Sequence, residues 1–394
     1  MIKMPKHTFQ KEPISESDLK KLIETREPHC ISLYIPTHVT GEEVLQQKDA
    51  KTLGTEIRKI RKALESISWT PEAIENLLAP ILELASDGEY WRHQSEGLAL
   101  FRSANWFRAF RVPVSFDAMH YIGDRFYLVP LVPELRKPNH FYLLSLELER
   151  VRMFKGSEFE ISELNLGDLI PQQKEERVGY DYEQKGLQFR SQHQAHGPAG
   201  FHGHAEADRD RKDEIQRFFR EVDRGLQTIL KKDPGPLVIA SQEYLAALYR
   251  DVSSIEDTAA ETLVVNLSEA TLPELQEGAL EKLRPLRESV HENKWAAFSE
   301  MHGTDKASTQ MDKILIAGLE GRIDTLFIGR GAELWGTFDD QSLEVLPADK
   351  SIQGSGSLLN GAVQLTLLHG GQVYERDLAD MPGGDVIAAA LFRY

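Results

Sequence analysis

Ser191-Gln-His-Gln-Ala-His-Gly-Pro-Ala-Gly-Phe-His-Gly-His204 is the centre of a polar stretch, from about Gln172 to Asp208, that has neither helix nor strand periodicity. Four histidines (His193, His196, His202, His204) share it with Gly197, Gly200, Gly203 and Pro198. On its downstream side Asp208 to Lys232 reads as an amphipathic helix, with Ile215, Phe218, Phe219, Val222, Leu226, Ile229 and Leu230 on one face. On its upstream side lie three short strand-like runs, Phe141 to Leu148, Val151 to Lys155 and Phe159 to Leu164, which form a meander. A long loop of this kind inside a compact chain is usually functional or disordered. The order meander, loop, helix sets the reading of the middle of the chain.

The chain has 394 residues, which is too long for one ordinary core and implies two or three domains. Its 41% hydrophobic content is that of a globular protein. No apolar run approaches the roughly 18 to 20 residues of a membrane span, and the first residues have no apolar core of a signal peptide. A single cysteine, Cys30, excludes an intrachain disulfide and fits a reducing cytoplasm. The net charge of −16 repels nucleic acid on average, so any RNA contact needs a local basic face.

One such face is legible. After a capped helix at 14–26 (Ser15 as N-cap, Asp18 three residues on) and a strand Cys30-Ile-Ser-Leu-Tyr-Ile-Pro36, a helix from Gln47 to Ile67 carries Leu53, Ile57, Ile60, Leu64 and Ile67 at 4-3-4-3 spacing. Lys48, Lys51, Arg58, Lys59 and Lys62 fall on the opposite side, a strip that is either merely solvated or contacts RNA. Thr70-Pro71 starts a further helix. Strands are expected at Gly97–Phe101, Trp106–Val114 and Phe126–Val132, and a linker at Pro133–Pro138. Leu237–Ala240 and Leu263–Leu267 read as buried parallel strands around a short helix at Tyr244–Tyr249, which argues an α/β domain with a mixed sheet. Thr271 to Met301 and Met311 to Leu319 are helical. Asp324–Gly329, Ala332–Thr337, Gln364–Leu368 and Val386–Phe392 are strand or short-helix candidates around a smaller α/β core, with a Gly/Ser-rich loop at 354–361.

Motif chemistry is sparse. The four loop histidines have the residue type of a transition-metal site, but His202-Gly-His204 lacks the Asp-His that would complete a His-x-His-x-Asp-His hydrolase pattern. No Walker A, nucleophile elbow or dinucleotide fingerprint is present. No cofactor is implied.

The order of these pieces resembles the archaeo-eukaryotic peptide chain release factor and Pelota superfamily, and within it the bacterial branch. Ile31-Ser-Leu-Tyr-Ile-Pro-Thr37 with the basic helix resembles the start of that family's N-terminal domain. Gly97–Phe101 and Phe126-Tyr-Leu-Val-Pro-Leu131 resemble its later strands. Phe141 to Gly156 with Phe201-His-Gly-His204 resembles its middle domain, and Gly321-Arg-Ile-Asp-Thr-Leu-Phe327 with Ala388 to Tyr394 its C-terminal domain. The resemblance implies an α/β protein of three domains: a release-factor-like N-terminal α/β domain over 1–136, a ribonuclease-H-like middle domain with a mixed sheet over 137–285, and an L7Ae-like α/β domain over 286–394. It implies a cytoplasmic, tRNA-shaped factor of translation termination or ribosome rescue, with the ribosome and ribosomal RNA as partners and neither membrane nor DNA. His202, Gly203 and His204 then occupy the tip of the catalytic loop, and Lys48, Lys51, Arg58, Lys59 and Lys62 face RNA.

The family's Gly-Gly-Gln tripeptide is missing from that loop, which leaves peptidyl-tRNA hydrolysis open. It occurs instead at Gly370-Gly371-Gln372, where it reads as a turn between two strand-like runs. Two other readings stand beside this one: a metal- or His-dependent hydrolase of RNA or ester using the loop histidines, and a non-catalytic adaptor with a protein partner.

Overall fold

The computed structural model describes residues 14–135, 140–147, 150–158, 160–167, 203–348 and 356–394, with 203–211 as backbone only. The chain divides into two compact units, Met1–Lys137 with His291–Tyr394, and Pro138–Val290. It is a mixed α/β protein, with four sheets among the described residues. Among the described residues no helix is long and apolar enough to cross a membrane.

The first part of unit one runs α1 (Glu16–Glu24), β1 (Cys30–Pro36), α2 (Glu42–Leu45), α3 (Lys48–Ser66), α4 (Pro71–Ser86), β2 (Gly97–Arg102), β3 (Phe107–Val112) and β4 (Met119–Gly123). Ser15 caps α1, its Oγ accepting from the Asp18 amide at 3.0 Å, as the sequence predicts. The strands form an antiparallel sheet in the order β3-β2-β1-β4. Ile31, Leu33 and Ile35 of β1 point to one face, where they bury Leu53, Ile57, Ile60 and Leu64 of α3 and Ile74, Leu77 and Leu78 of α4. Ile67 caps the end of α3 and is 40% exposed, so the stripe stops one residue short of the expected end. Pro80 lies inside α4 and cannot donate to the Asn76 carbonyl. The buried guanidinium of Arg102 compensates, donating to Asn76 O at 3.4 Å and Leu77 O at 2.8 Å.

The run Phe126–Val132 is not a strand, and the β4 strand was not expected. Phe126 to Leu128 lie buried, and four of their backbone polar groups are taken by side chains in place of a ladder, while the Leu128 carbonyl accepts from the Leu131 amide at 2.9 Å. The Tyr127 amide donates to Ser32 Oγ at 2.8 Å, and its carbonyl accepts from the Tyr34 hydroxyl. The chain then makes a 3₁₀ turn at Val129–Leu131.

Unit two contains β5 (His140–Leu146), β6 (Val151–Ser157), β7 (Ile161–Leu164), α5 (Gly203–Lys232), β8 (Leu237–Ser241), α6 (Glu243–Arg250) and the start of α7 (Leu272–Met301). The expected meander is present, and β8 joins it parallel to β5, giving a mixed sheet β7-β6-β5-β8. Alternate residues of β5 feed two cores. Tyr142, Leu144 and Leu146 pack with Phe218, Phe219, Val222 and Leu226 of α5. Phe141 and Leu143 pack with Leu275, Ala279 and Leu283 of α7 on the other face. Asp223 of α5 is buried and accepts from Tyr249 Oη at 3.0 Å and Ser253 Oγ at 2.8 Å, which ties α5 to α6. The second parallel strand expected at 263–267 reduces to a single bridge, Ala240 to Leu263. Helix α7 continues through Pro285.

The remainder of unit one comprises β9 (Ala307–Ser308), α8 (Met311–Leu319), β10 (Ile323–Gly329), β11 (Trp335–Phe338), β12 (Val345–Pro347), β13 (Gly356–Ser357), α9 (Leu358–Leu368), β14 (Gln372–Arg376) and β15 (Ala388–Phe392). The order β14-β10-β15-β9 has one parallel pair, β10 with β14. Residues 364–368 are helical, one of the two readings the sequence leaves open, so the run before Gly370 is not strand-like. The run is buried nearly all round, so no polar face marks the helical period, and Ser357 caps it by accepting from the Asn360 amide at 3.1 Å. Gly370-Gly371-Gln372 therefore turns from a helix into a strand. Gly370 has φ +72°, and a Cβ on Gly371 would lie 2.7 Å from Thr366 Cγ2.

Helix α9 also meets the buried run near Phe126. Asn360 accepts from the Leu128 amide at 2.7 Å and donates to the Phe126 carbonyl at 2.9 Å; Gln364 Nε2 donates to the same carbonyl at 2.8 Å. Both side chains are 2% exposed. Asn360→Ala is expected to destabilise the protein by about 2 to 3 kcal/mol, because a buried amide and a buried carbonyl each lose a partner. Urea unfolding measures it; a loss under about 0.5 kcal/mol would refute this account of the seam.

Candidate nucleic-acid interface

Helix α3 begins at Lys48, after Gln47 turns the chain in the left-handed region (φ +52°). Lys48, Lys51, Arg58, Lys59 and Lys62 are all exposed, on the side away from the buried stripe. At 1.5 Å rise per residue, Lys48 and Lys62 are separated by about 21 Å along the axis. Among the described residues Lys48, Lys51, Arg58 and Lys62 form no ion pair. Arg58 Nη2 donates to Thr55 Oγ1 at 3.0 Å. Lys59 differs: its ammonium is 2.6 Å from Glu56 Oε1. Part of its charge is therefore committed within the protein.

The buried side of α3 carries two carboxylates that sequence reasoning missed, Asp49 and Glu56. Asp49 Oδ1 lies 2.6 Å from His38 Nδ1, and its Oδ2 accepts from the His38 amide at 2.9 Å. Glu56 Oε2 lies 2.7 Å from His120 Nδ1 of β4. The signal was available, since positions 49 and 56 fall on the same helical stripe as Leu53, Ile57 and Ile60. These contacts fix the rotation of α3 about its axis, and so which residues it presents to solvent.

Burial pushes the Glu56 carboxyl up, but the hydrogen bonds and charges of Lys59 and His120 outweigh it and hold the group below the ordinary carboxylate range. A depressed folded-state pKa gives stability that is present above the unfolded pKa and is lost as pH falls through the folded value.

His193, His196 and His202 lie outside the described residues. The backbone of Gly203 and His204 forms the start of α5, and the His204 side chain is outside the described residues. Among the described residues no group of three or more His, Cys, Asp or Glu could hold a metal ion. The loop and the α3 strip lie in different units.

Glu56→Gln should cost about 1 to 3 kcal/mol at pH 7, and the gap to the unmodified protein should close below about pH 4. Denaturant unfolding at pH 7 and pH 3.5 checks this; a gap that does not change with pH would count against it.

Residues 140–322 match the sequence family described as bacterial archaeo-eukaryotic release factor family 3. No curated protein matches the chain. Among solved structures, an archaeal translation termination factor aligns at 14% identity over 97% of this chain and 99% of its own, with a TM-score of 0.23. Pelota of Archaeoglobus fulgidus aligns at 11% identity over 97% and 93%, with a TM-score of 0.32. An archaeal Pelota described as ribosome-bound with ABCE1 aligns at 10% identity over 97% and 95%, with a TM-score of 0.36. The family match spans β5 through α8 and stops just before β10: over residues 140–322 the chain is similar to bacterial archaeo-eukaryotic release factor family 3.

Proposed function

We propose that the protein is a ribosome-associated factor of translation termination or ribosome rescue. The observation that carries this reading is the release factor family match over 140–322. The unpaired basic strip of α3 supports it, because a chain of net charge −16 needs a local cationic surface to approach RNA. In this reading Lys48, Lys51, Arg58 and Lys62 face ribosomal RNA, with Lys59 contributing less because Glu56 shares its charge. The three domains follow the family plan: a release-factor-like N-terminal domain over 1–136, a ribonuclease-H-like middle domain over 137–285, and an L7Ae-like domain over 286–394. In this reading the loop that stands where the family carries Gly-Gly-Gln ends at His202, with Gly203 and His204 opening the helix α5 behind it.

The test is sedimentation of the purified protein with 70S ribosomes through a sucrose cushion. At about 50 mM salt the protein should pellet with ribosomes, and it should be released as salt rises, since phosphate contacts are salt-dependent. Lys48/Lys51/Arg58/Lys62→Glu should remain in the supernatant. Unmodified protein that stays in the supernatant at low salt would overturn the reading.

A further inference from the structure

Unit two has two long helices on opposite faces of one sheet, and their outer faces carry opposite charge. Among the described side chains of α5, from Lys212 on, the exposed residues include Lys212, Arg217, Arg220, Arg224, Lys231 and Lys232, against one exposed carboxylate, Asp213. Glu214 and Glu221 are half-buried on its flanks, and Asp223 is buried. Among the described residues none of the six cations is in an ion pair. Arg217, Arg220, Arg224 and Lys231 follow one another at spacings of three, four and seven, so they form a line about 21 Å long on one side of the helix. On the unit-two part of α7 the exposed charges are Glu274, Glu277, Glu281 and Glu288, against Arg284.

We propose that the outer face of α5 is a second RNA-backbone contact, and that the acidic outer face of α7 keeps the opposite side of this unit away from RNA. The proposal rests on the ribosome-associated reading above and extends it to a surface in the other unit. Arginine forks match phosphate oxygens in pairs, and a straight row of cations suits a linear polyanion. The apolar face of α5 (Ile215, Phe218, Phe219, Val222, Leu226) is already buried on the sheet, so nothing apolar remains to enter a lipid surface. Charge segregation also resolves how so acidic a chain meets RNA: it repels RNA from the α7 side and attracts it on the α5 side, which orients the encounter.

The experiment compares binding of the full chain to a fluorescent RNA duplex and to 70S ribosomes across a salt series. Its variants are Arg217/Arg220/Arg224→Gln on α5, Glu274/Glu277/Glu281→Gln on α7, and the α3 charge reversal. The α5 variant should bind RNA at least tenfold more weakly at 100 mM salt, and the slope of log affinity against log salt should fall by about 2 to 3, at about 0.7 to 0.9 per lost phosphate contact. The α7 variant should bind as tightly as the unmodified protein or more tightly. Arg220→Gln and Arg224→Gln alone should each lower the slope by about 1, which keeps the test valid if the triple variant unfolds. An α5 variant within twofold of the unmodified protein, with the same slope, overturns this proposal. If the α3 variant loses binding in that same experiment, the ribosome reading survives and only the α5 surface falls. If the unmodified protein binds neither RNA nor ribosomes, both fall. Loss of binding to phosphatidylserine vesicles with RNA affinity intact would assign the face to membranes and also overturn it.

Discussion

A buried peptide segment with no strand to pair with must have its polar groups satisfied by something else, and unit one is built around such a segment. Phe126 to Leu128 take hydrogen bonds from β1 on one side, through Ser32 and Tyr34, and from α9 on the other, through Asn360 and Gln364. An unpaired buried amide or carbonyl costs about 1 to 3 kcal/mol, so these four groups left open would cancel much of a domain's net stability. The seam is also specific. Apolar packing tolerates exchanges of similar volume, whereas Asn360 works only with its oxygen toward Leu128 and its nitrogen toward Phe126. Val132, a few residues on, extends the join by entering the core of the C-terminal part.

Electrostatics is organised by segregation. Among the described residues, unpaired cations gather on α3 in one unit and on α5 in the other, and each belongs to a helix whose other side is committed to a core. On α3 the commitment includes the Asp49 and Glu56 carboxylates, which lie within the protein and are matched by histidines and Lys59. The acidic surplus lies elsewhere, in part on α7. The sign of the whole chain is therefore a poor guide to what each face attracts.

How much was legible in the sequence depended on whether an element has two unlike faces. Helices α3 and α5 and the β5–β7 meander show their period because one side is wet, and only their ends differ from the sequence expectation. Helix α9 is buried nearly all round, so Gln364-Leu-Thr-Leu-Leu368 looks the same as a core strand. Met119-His-Tyr-Ile-Gly123 is too short and mixed to announce a strand, and becomes one because β1 offers an edge. Phe126–Val132 has strand composition, but long-range side chains claim its backbone. The candidate site divides the same way. The α3 cations show as a strip, Asp49 and Glu56 do not stand out because acidic residues are ordinarily solvated, and on α5 the apolar periodicity is a stronger signal than the cations.

The seam has a timetable. Leu128 and the Asn360 that satisfies it are 232 residues apart in the chain, and the whole of unit two is made between them. At about 5 to 20 residues per second of synthesis, the N-terminal part waits on the order of 10 to 50 s for its partner helix. During that interval Phe126 to Val132 has no α9 to cover it, while unit two can complete its own core. A nascent chain stalled before residue 358 would carry a finished middle and an unfinished beginning, and that beginning is where a chaperone would have most to hold.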